Sequence, residues 1–376
     1  MKKNVNLTFT VLAAALLTVA LISVGCKKES TTSVPTTSVP TTSVSTPKGL
    51  EDFNQVNLVA NNANYNAARV DPLLQNAWGI AFSPTGNIWL SANVTGYSNI
   101  YDKEGSQLLA PVAIPSPTSS MGGSITGIVF SGAAKFKLPN GSPAIFTFAG
   151  QDGVISGWNK GNISNAIKMV DNSATASYFG LTLANSQGAN YLYAANFKAG
   201  TIDVFDSTWS KVNSTFIDPN LPAQYSPFNI QKIGNQLYVL YAKLGDYGNE
   251  VHAPGLGIVD IFNTDGSFVK RFISQGGQLN SPWGITKAPT SFFGSDSTGV
   301  SGVVLVGNFG DGHINAFNAD GTFIGPLKSK GQPVVINGLW SLSFAPVSAT
   351  TIDPNRLYFE AGPNTEKDGL FGYINK

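Results

Sequence analysis

Residues 76–105 read NAWGIAFSPTGNIWLSANVTGYSNIYDKEG. Three apolar runs alternate with turn residues: Trp78–Phe82, Ile88–Ala92 and Ser98–Tyr101, separated by Ser83-Pro84-Thr85-Gly86 and Asn93-Val94-Thr95-Gly96. Each run is strand length, rich in aromatic or β-branched residues, and bounded by Gly, Pro or Asn. A unit this small cannot bury its own faces, so recurrence decides the fold.

The unit recurs five more times. Its first run returns as Thr126-Gly127-Ile128, Phe179-Gly180-Leu181, Phe228-Asn229-Ile230, Trp283-Gly284-Ile285 and Trp340-Ser341-Leu342. Its third returns at Gly153–Trp158, Gly200–Phe205, Gly257–Phe262, Gly312–Phe317 and Gly369–Ile374. A spacing of roughly 50 residues with several strands per repeat fits the blades of a β-propeller. The spacing predicts an all-β fold of six four-stranded antiparallel blades. Fourth strands are expected at Gln107–Ile114, Ala166–Asp171, Lys211–Asp218, Ser267–Ser274 and Thr322–Ser329. The sixth repeat runs out at Ile374 without one, while Phe53–Val59 is a strand with no partner upstream. Pairing the two would close the ring and leave no free edge there.

Composition narrows function. The chain has 376 residues, 40 Gly, 21 Pro, 12% charged residues and a net charge of +1. Typical soluble domains carry roughly 25% charge. Nucleic-acid binding needs clustered Lys and Arg, so no nucleic-acid partner is expected. A monomer is expected.

The amino terminus reads as an export signal. Met1-Lys2-Lys3 precedes an apolar run through Ile22, with small residues Ser23 and Gly25 ahead of Cys26. Cys26 is the chain's one cysteine. Its place resembles the lipid-modified cysteine of bacterial lipoproteins, although Ser23 stands where Leu is usual. The plainer alternative is secretory cleavage with Cys26 incidental. Residues 27–50 repeat TTSVP and lack the apolar content to fold. Extended, such a spacer reaches on the order of 75–80 Å. The expected organisation is therefore signal peptide 1–26, linker 27–50 and propeller 51–376, with membrane contact through a lipid anchor only. A soluble secreted or periplasmic protein is the alternative.

The repeated W-G-I run and the G-x-I-x-x-F third strands resemble NHL-repeat and gluconolactonase-like propellers. Asp71-Pro72-Leu73-Leu74-Gln75-Asn76-Ala77-Trp78-Gly79-Ile80-Ala81, with Ile88–Asn93 after it, is similar to a family of exported bacterial proteins without assigned function. That family usually has an acidic residue where this chain has Ala92, which counts against a metal site in the first blade. The resemblance to gluconolactonase-like propellers implies a divalent ion at the channel mouth, and Ca²⁺ is the candidate cofactor.

Strand alternation places blade-to-blade and second-to-third loops on one face, and the remaining loops on the other. The first face carries the long excursion Lys243–Gly255 and polar tips at Asn93, Asp152, Asn196, Asp246, Asn308 with Asp311, and Asn364. The simplest role of such tips is turn capping. Gly79, Gly127, Gly180 and Gly284 are expected where inner strands crowd the channel. Trp78, Trp283, Trp340, Phe179 and Phe228 are expected to pack between blades. With no G-x-S-x-G, Walker or zinc signature, the leading expectation is a binding module for a small molecule or protein. Its candidate ligand residues are Asn76, Asn229, Asp246, Tyr247, His252, Asn308, Asp311 and Asn337 at the channel mouth. The rival is a Ca²⁺-dependent lactonase or esterase, with no catalytic residue assignable.

Overall fold

The structure, a computed structural model, describes residues 48–132, 134–161, 164–294 and 302–376. The signal sequence, Cys26 and the TTSVP tract lie outside these residues.

Six antiparallel blades form a β-propeller. The first is Ala77–Phe82, Ile88–Ala92, Tyr97–Tyr101 and Gln107–Ala113, hydrogen-bonded in that order from the inside outward. The next four blades repeat this pattern. In the sixth, Leu339–Phe344, Leu357–Ala361 and Leu370–Asn375 are followed outward by Asn54–Ala60, which runs antiparallel to the C-terminal strand from Asn54↔Asn375 to Ala60↔Leu370. The two ends of the domain thus share one sheet. Phe53, Leu58, Val59 and Ala60 are buried, and so is Leu50 just upstream.

Three details depart from the sequence expectation. The third blade's outer strand is only Lys211–Val212. Beyond it, Asp218 pairs with Arg271, which also pairs with buried Asp260. In the fifth blade the outer strand stops at Pro326, and Lys328–Ser329 pairs instead with Gln332–Pro333. A two-residue strand, Arg69–Val70, adds in parallel outside Asn54–Ala60.

Each innermost strand carries a register irregularity where it meets the second strand. The shifts fall between Ala77/Ile80, Ile125/Ile128, Tyr178/Gly180, Pro227/Asn229, Pro282/Gly284 and Leu339/Leu342. A bulge bends its strand and re-aims the side chain beside it. Here it turns the leading aromatics inward. Trp78, Phe179, Phe197, Phe228, Trp283, Phe309 and Trp340 form a single cluster. Contacts join non-neighbouring blades: Trp78 meets Phe179 and Trp283, and Phe228 meets Trp340. The rings expected between blades therefore meet one another across the channel. Trp340 lies between Trp78, stacked at 3.7 Å, and Phe309, stacked at 3.8 Å.

The inner-strand glycines allow this convergence. A Cβ on Gly180 would strike the Asn229 amide, and one on Gly79 would strike the Thr126 carbonyl of the next blade.

Glu360 stands apart within the core. It lies on the second strand of the last blade and is fully buried. Its carboxyl group reaches toward the Ser91 backbone N–H of the first blade without forming a well-made hydrogen bond. Burial pushes its pKa well above the ordinary carboxylate value. The neutral acid is thus the form that suits the fold. A group with a raised folded pKa contributes stability at low pH that is lost as pH rises through the folded value. Glu360→Gln keeps the shape and an acceptor oxygen but cannot ionise. It is expected to flatten the fall in melting temperature as pH rises from the ordinary carboxylate range toward the raised folded value, and a fall as steep as that of the wild type would show that Glu360 does not set it.

Candidate functional site

The aromatic cluster closes the channel near the first face. Beneath it lies a narrow space of about 30 Å³ lined by residues including Gly79, Gly127, Asn229, Gln231 and Ser341. The channel opens on the opposite face as a cavity of about 300 Å³ beside Phe82, Phe130, Lys232 and Phe344. A ligand on the first face would therefore rest above a closed floor.

The polar groups above that floor are organised around Asn76. Its side-chain oxygen accepts from Trp340 Nε1 at 2.9 Å, and its Nδ2 donates to Glu366 Oε2 at 2.8 Å. Nδ2 also lies 3.4 Å from Asn93 Oδ1, and Asn93 Nδ2 donates to Gln151 Oε1 at 3.1 Å. Asn76 thus ties the aromatic floor to the mouth.

Glu366 is presented by an unusual turn. Asn364, Thr365 and Glu366 have φ of 56°, 53° and 64°, three successive left-handed residues without a glycine. Such a conformation costs of order 1–3 kcal/mol per residue and needs outside support. Asp368 supplies it, accepting from Tyr65 Oη at 2.6 Å, Asn62 Nδ2 at 2.9 Å, and Asn61 and Asn364 Nδ2 at 3.2 Å each. The N-terminal connection therefore braces the turn that carries Glu366.

The excursion from the fourth blade reaches the same place. It is a small hairpin with Val251 N–H donating to Lys243 O at 2.9 Å and Gly245 N–H to Asn249 O at 2.7 Å. Leu244 at its base packs against the aromatic floor. His252 sets its ring edge against Phe309 at 5.1 Å, and its Nε2 lies 3.3 Å from Glu250 Oε1. Burial, then the Glu250 carboxylate, raise the pKa of Glu366, while the Asn76 hydrogen bond and His252 oppose them. The fourth-blade Glu250 and His252 thus lie within electrostatic reach of the sixth-blade Glu366.

Of the residues singled out from sequence, Asn76 and His252 meet here. Asn229 lies below the floor, donating to Trp283 O at 2.7 Å. Asn308 and Asp311 form a separate fifth-blade network with Asn280, in which both amides donate to Asp311 Oδ2. Asp246 and Tyr247 occupy the solvent-facing hairpin tip, and Asn337 is exposed. Asp311 also caps its own turn by accepting from the His313 N–H at 3.1 Å, as Asn196 does by accepting from the Ser177 and Ala199 N–H groups. Sequence reasoning missed Glu366, although the polar, glycine-free tip Asn364-Thr365-Glu366 was its signal. Among the described residues no group of three or more His, Cys, Asp or Glu is placed to hold a metal ion. Of the Asn and Asp set read as possible Ca²⁺ ligands, Asn229 lies below the floor, while Asn308 and Asp311 pair in the fifth blade.

A larger open groove of about 730 Å³ lies away from the mouth, between Pro115–Ser120 and Ser164–Lys168. Its charged group, Lys168, is engaged by Pro117 O and Asp171.

No protein-family model matches the chain. It is 34% identical over 338 residues to uncharacterized protein L690 of Acanthamoeba polyphaga mimivirus, covering 86% of both chains. The chain belongs to the L690 family. Uncharacterized protein R648 of the same virus is 33% identical over 334 residues, covering 86% of this chain and 80% of its own. Both of these relatives are viral, whereas the sequence resemblance had pointed to exported bacterial proteins. Among solved structures, a streptogramin B lyase aligns with a TM-score of 0.48 and 14% identity, covering 86% of this chain and 97% of its own. A gluconolactonase from Xanthomonas campestris aligns with a TM-score of 0.46 and 12% identity, covering 80% and 86%.

Proposed function

We propose that this L690-family propeller is a binding module whose ligand sits at the first-face mouth, contacting Glu366, Asn76, Glu250 and His252. The observation that carries this reading is the braced left-handed turn that holds the half-buried Glu366 on Asn76. Strain held in place by surrounding structure is characteristic of ligand clamps and active sites. The closed floor makes the mouth a shallow, one-sided site, which suits recognition better than passage through the ring.

Chemical-shift mapping with a library of small polar molecules and short peptides tests this reading. Ligand-induced shifts should centre on Asn76, His252 and Glu366. Shifts confined to the opposite mouth near Phe130 and Phe344 would move the site to the other face. The Ca²⁺-dependent hydrolase is the weaker reading, since Asn229 lies below the floor and Asn308 and Asp311 pair in the fifth blade. A melting temperature unchanged by millimolar Ca²⁺ or chelator is expected.

We also propose export and anchoring through a lipidated Cys26, with the TTSVP tract as spacer. The positive start, apolar run and small residues before Cys26 support this. Cys26→Ser should release the protein from the membrane fraction, because lipid burial supplies the attachment. Unchanged membrane association would sink the lipoprotein reading.

A further inference from the structure

The channel mouth on the opposite face carries a pattern that repeats with the blades. Four residues after the leading residue of each innermost strand stand Phe82, Phe130, Leu183, Lys232, Lys287 and Phe344. Innermost strands of successive blades touch around the closed ring, so these positions fall into two arcs. Phe344, Phe82, Phe130 and Leu183 come from the sixth, first, second and third blades, and the two lysines from the fourth and fifth. All but Lys287 line the cavity of about 300 Å³ that opens there. Lys287 lines an adjoining cavity of about 600 Å³, which shares Phe344 and Pro346 with the first.

The apolar arc is a seated wall. Phe82 meets Tyr358 at 5.6 Å, Phe130 meets Phe146 at 5.4 Å and Phe344 meets Phe292 at 5.0 Å, all edge-on. On the other side, the Lys232 backbone N–H donates to Thr182 Oγ1 of the third blade at 3.2 Å. Gln231 lines both the cavity and the narrow space beneath it, so an amide stands at the blind end. Among the described residues no Asp or Glu lines the cavity. The lysine–carboxylate pairs among them are made by Lys168, Lys211 and Lys328, not by Lys232 or Lys287. A concave cavity of this size, with an apolar wall and a few placed polar groups, has the form of a small-molecule site. Its lysine side calls for an anion, and its phenylalanine side offers nothing to a fully hydrated one.

We propose that this mouth is a second ligand site, which takes a small amphipathic carboxylate. The apolar body of the ligand lies against Phe82, Phe130 and Phe344. Its carboxylate is held by Lys232, and Lys287 adds positive charge from the next blade. The aromatic floor separates this site from the first-face mouth.

Calorimetric titration of the full chain with 3-phenylpropanoate tests the proposal. The near-isosteric 3-phenylpropanamide lacks the charge, and acetate lacks the apolar body. The amide should bind about tenfold more weakly than the acid, because hydrogen bonds to charged groups are the stronger ones. Acetate should show no measurable binding. Lys232→Gln should weaken the acid about tenfold and leave the amide nearly unchanged, whereas Phe130→Ala should weaken both. Val94→Asp, at an exposed position on the first face, should alter neither. Melting curves check that each variant is folded, and the three probes decide on the wild-type chain alone where one is not. An amide as tight as the acid would overturn the proposal, as would equal losses for both in Lys232→Gln. Acetate binding as tight as 3-phenylpropanoate, or no binding of 3-phenylpropanoate at millimolar concentration, would overturn it as well. None of these failures touches the first-face reading, which rests on the turn that carries Glu366.

Discussion

Deleting residues 51–60 is expected to unfold the propeller rather than merely loosen one blade. The deletion removes the outer strand of the last blade and with it the buried side chains of Phe53, Leu58 and Val59. Fully burying each such side chain is worth about 1.5–3 kcal/mol, and a whole domain is stable by only about 5–15 kcal/mol. Phe53 also stacks on Phe292 at 4.9 Å, and its N–H donates to Lys328 O at 2.9 Å, so the loss spreads to the fifth blade. The exposed edge left on Leu370–Asn375 would in addition favour aggregation. Deleting 27–48 should leave thermal melting nearly unchanged. Circular dichroism melts of the two deletions decide the matter. Equal effects would mean that the strand Asn54–Ala60 does not close the ring.

The second large effect is expected at the channel floor. Trp340→Ala should destabilise the protein by about 3–5 kcal/mol, the usual range for removing a large buried aromatic. It abolishes the stacks with Trp78 and Phe309 and leaves the Asn76 oxygen without its indole donor. Because Asn76 also holds Glu366, the mouth should lose order along with stability. Trp340→Phe keeps most of the packing but not the N–H donor, so it separates the two contributions. Urea unfolding of the three proteins provides the comparison. A loss below about 1 kcal/mol for the alanine variant would mean that the cavity collapses at little cost and that Trp340 is not the centre of the floor.

How much of this is readable from sequence follows from which interactions are local. The blades are legible because each repeat restates its own strands and turns, and the N-terminal strand is legible because the sixth repeat lacks one. The inward turn of Trp78, Trp283 and Trp340 is not. It depends on a bulge in each inner strand, and one inserted residue breaks the two-residue alternation that assigns side chains to faces. Asn308 and Asp311 look like ligands in the sequence, yet their partners lie in their own blade. Glu366 looks like an ordinary loop carboxylate. Its position depends on Asp368 gripping Tyr65 and Asn62, more than 300 residues earlier, and on the hydrogen bond from Asn76. The place of His252 above the aromatic floor was legible because the long excursion that carries it stands out from the short connections around it.

The central claim is that Glu250 of the fourth blade acts on the half-buried Glu366 of the sixth over a closed floor. A pH titration of the Glu366 carboxyl carbon by NMR, in the wild type and in Glu250→Gln, tests it most directly. Glu366 should titrate above the ordinary carboxylate range because of burial and the neighbouring charge, and its midpoint should fall when Glu250 is neutralised. An ordinary midpoint that does not move in Glu250→Gln would mean that Glu250 does not act on Glu366, and the proposed site would not exist.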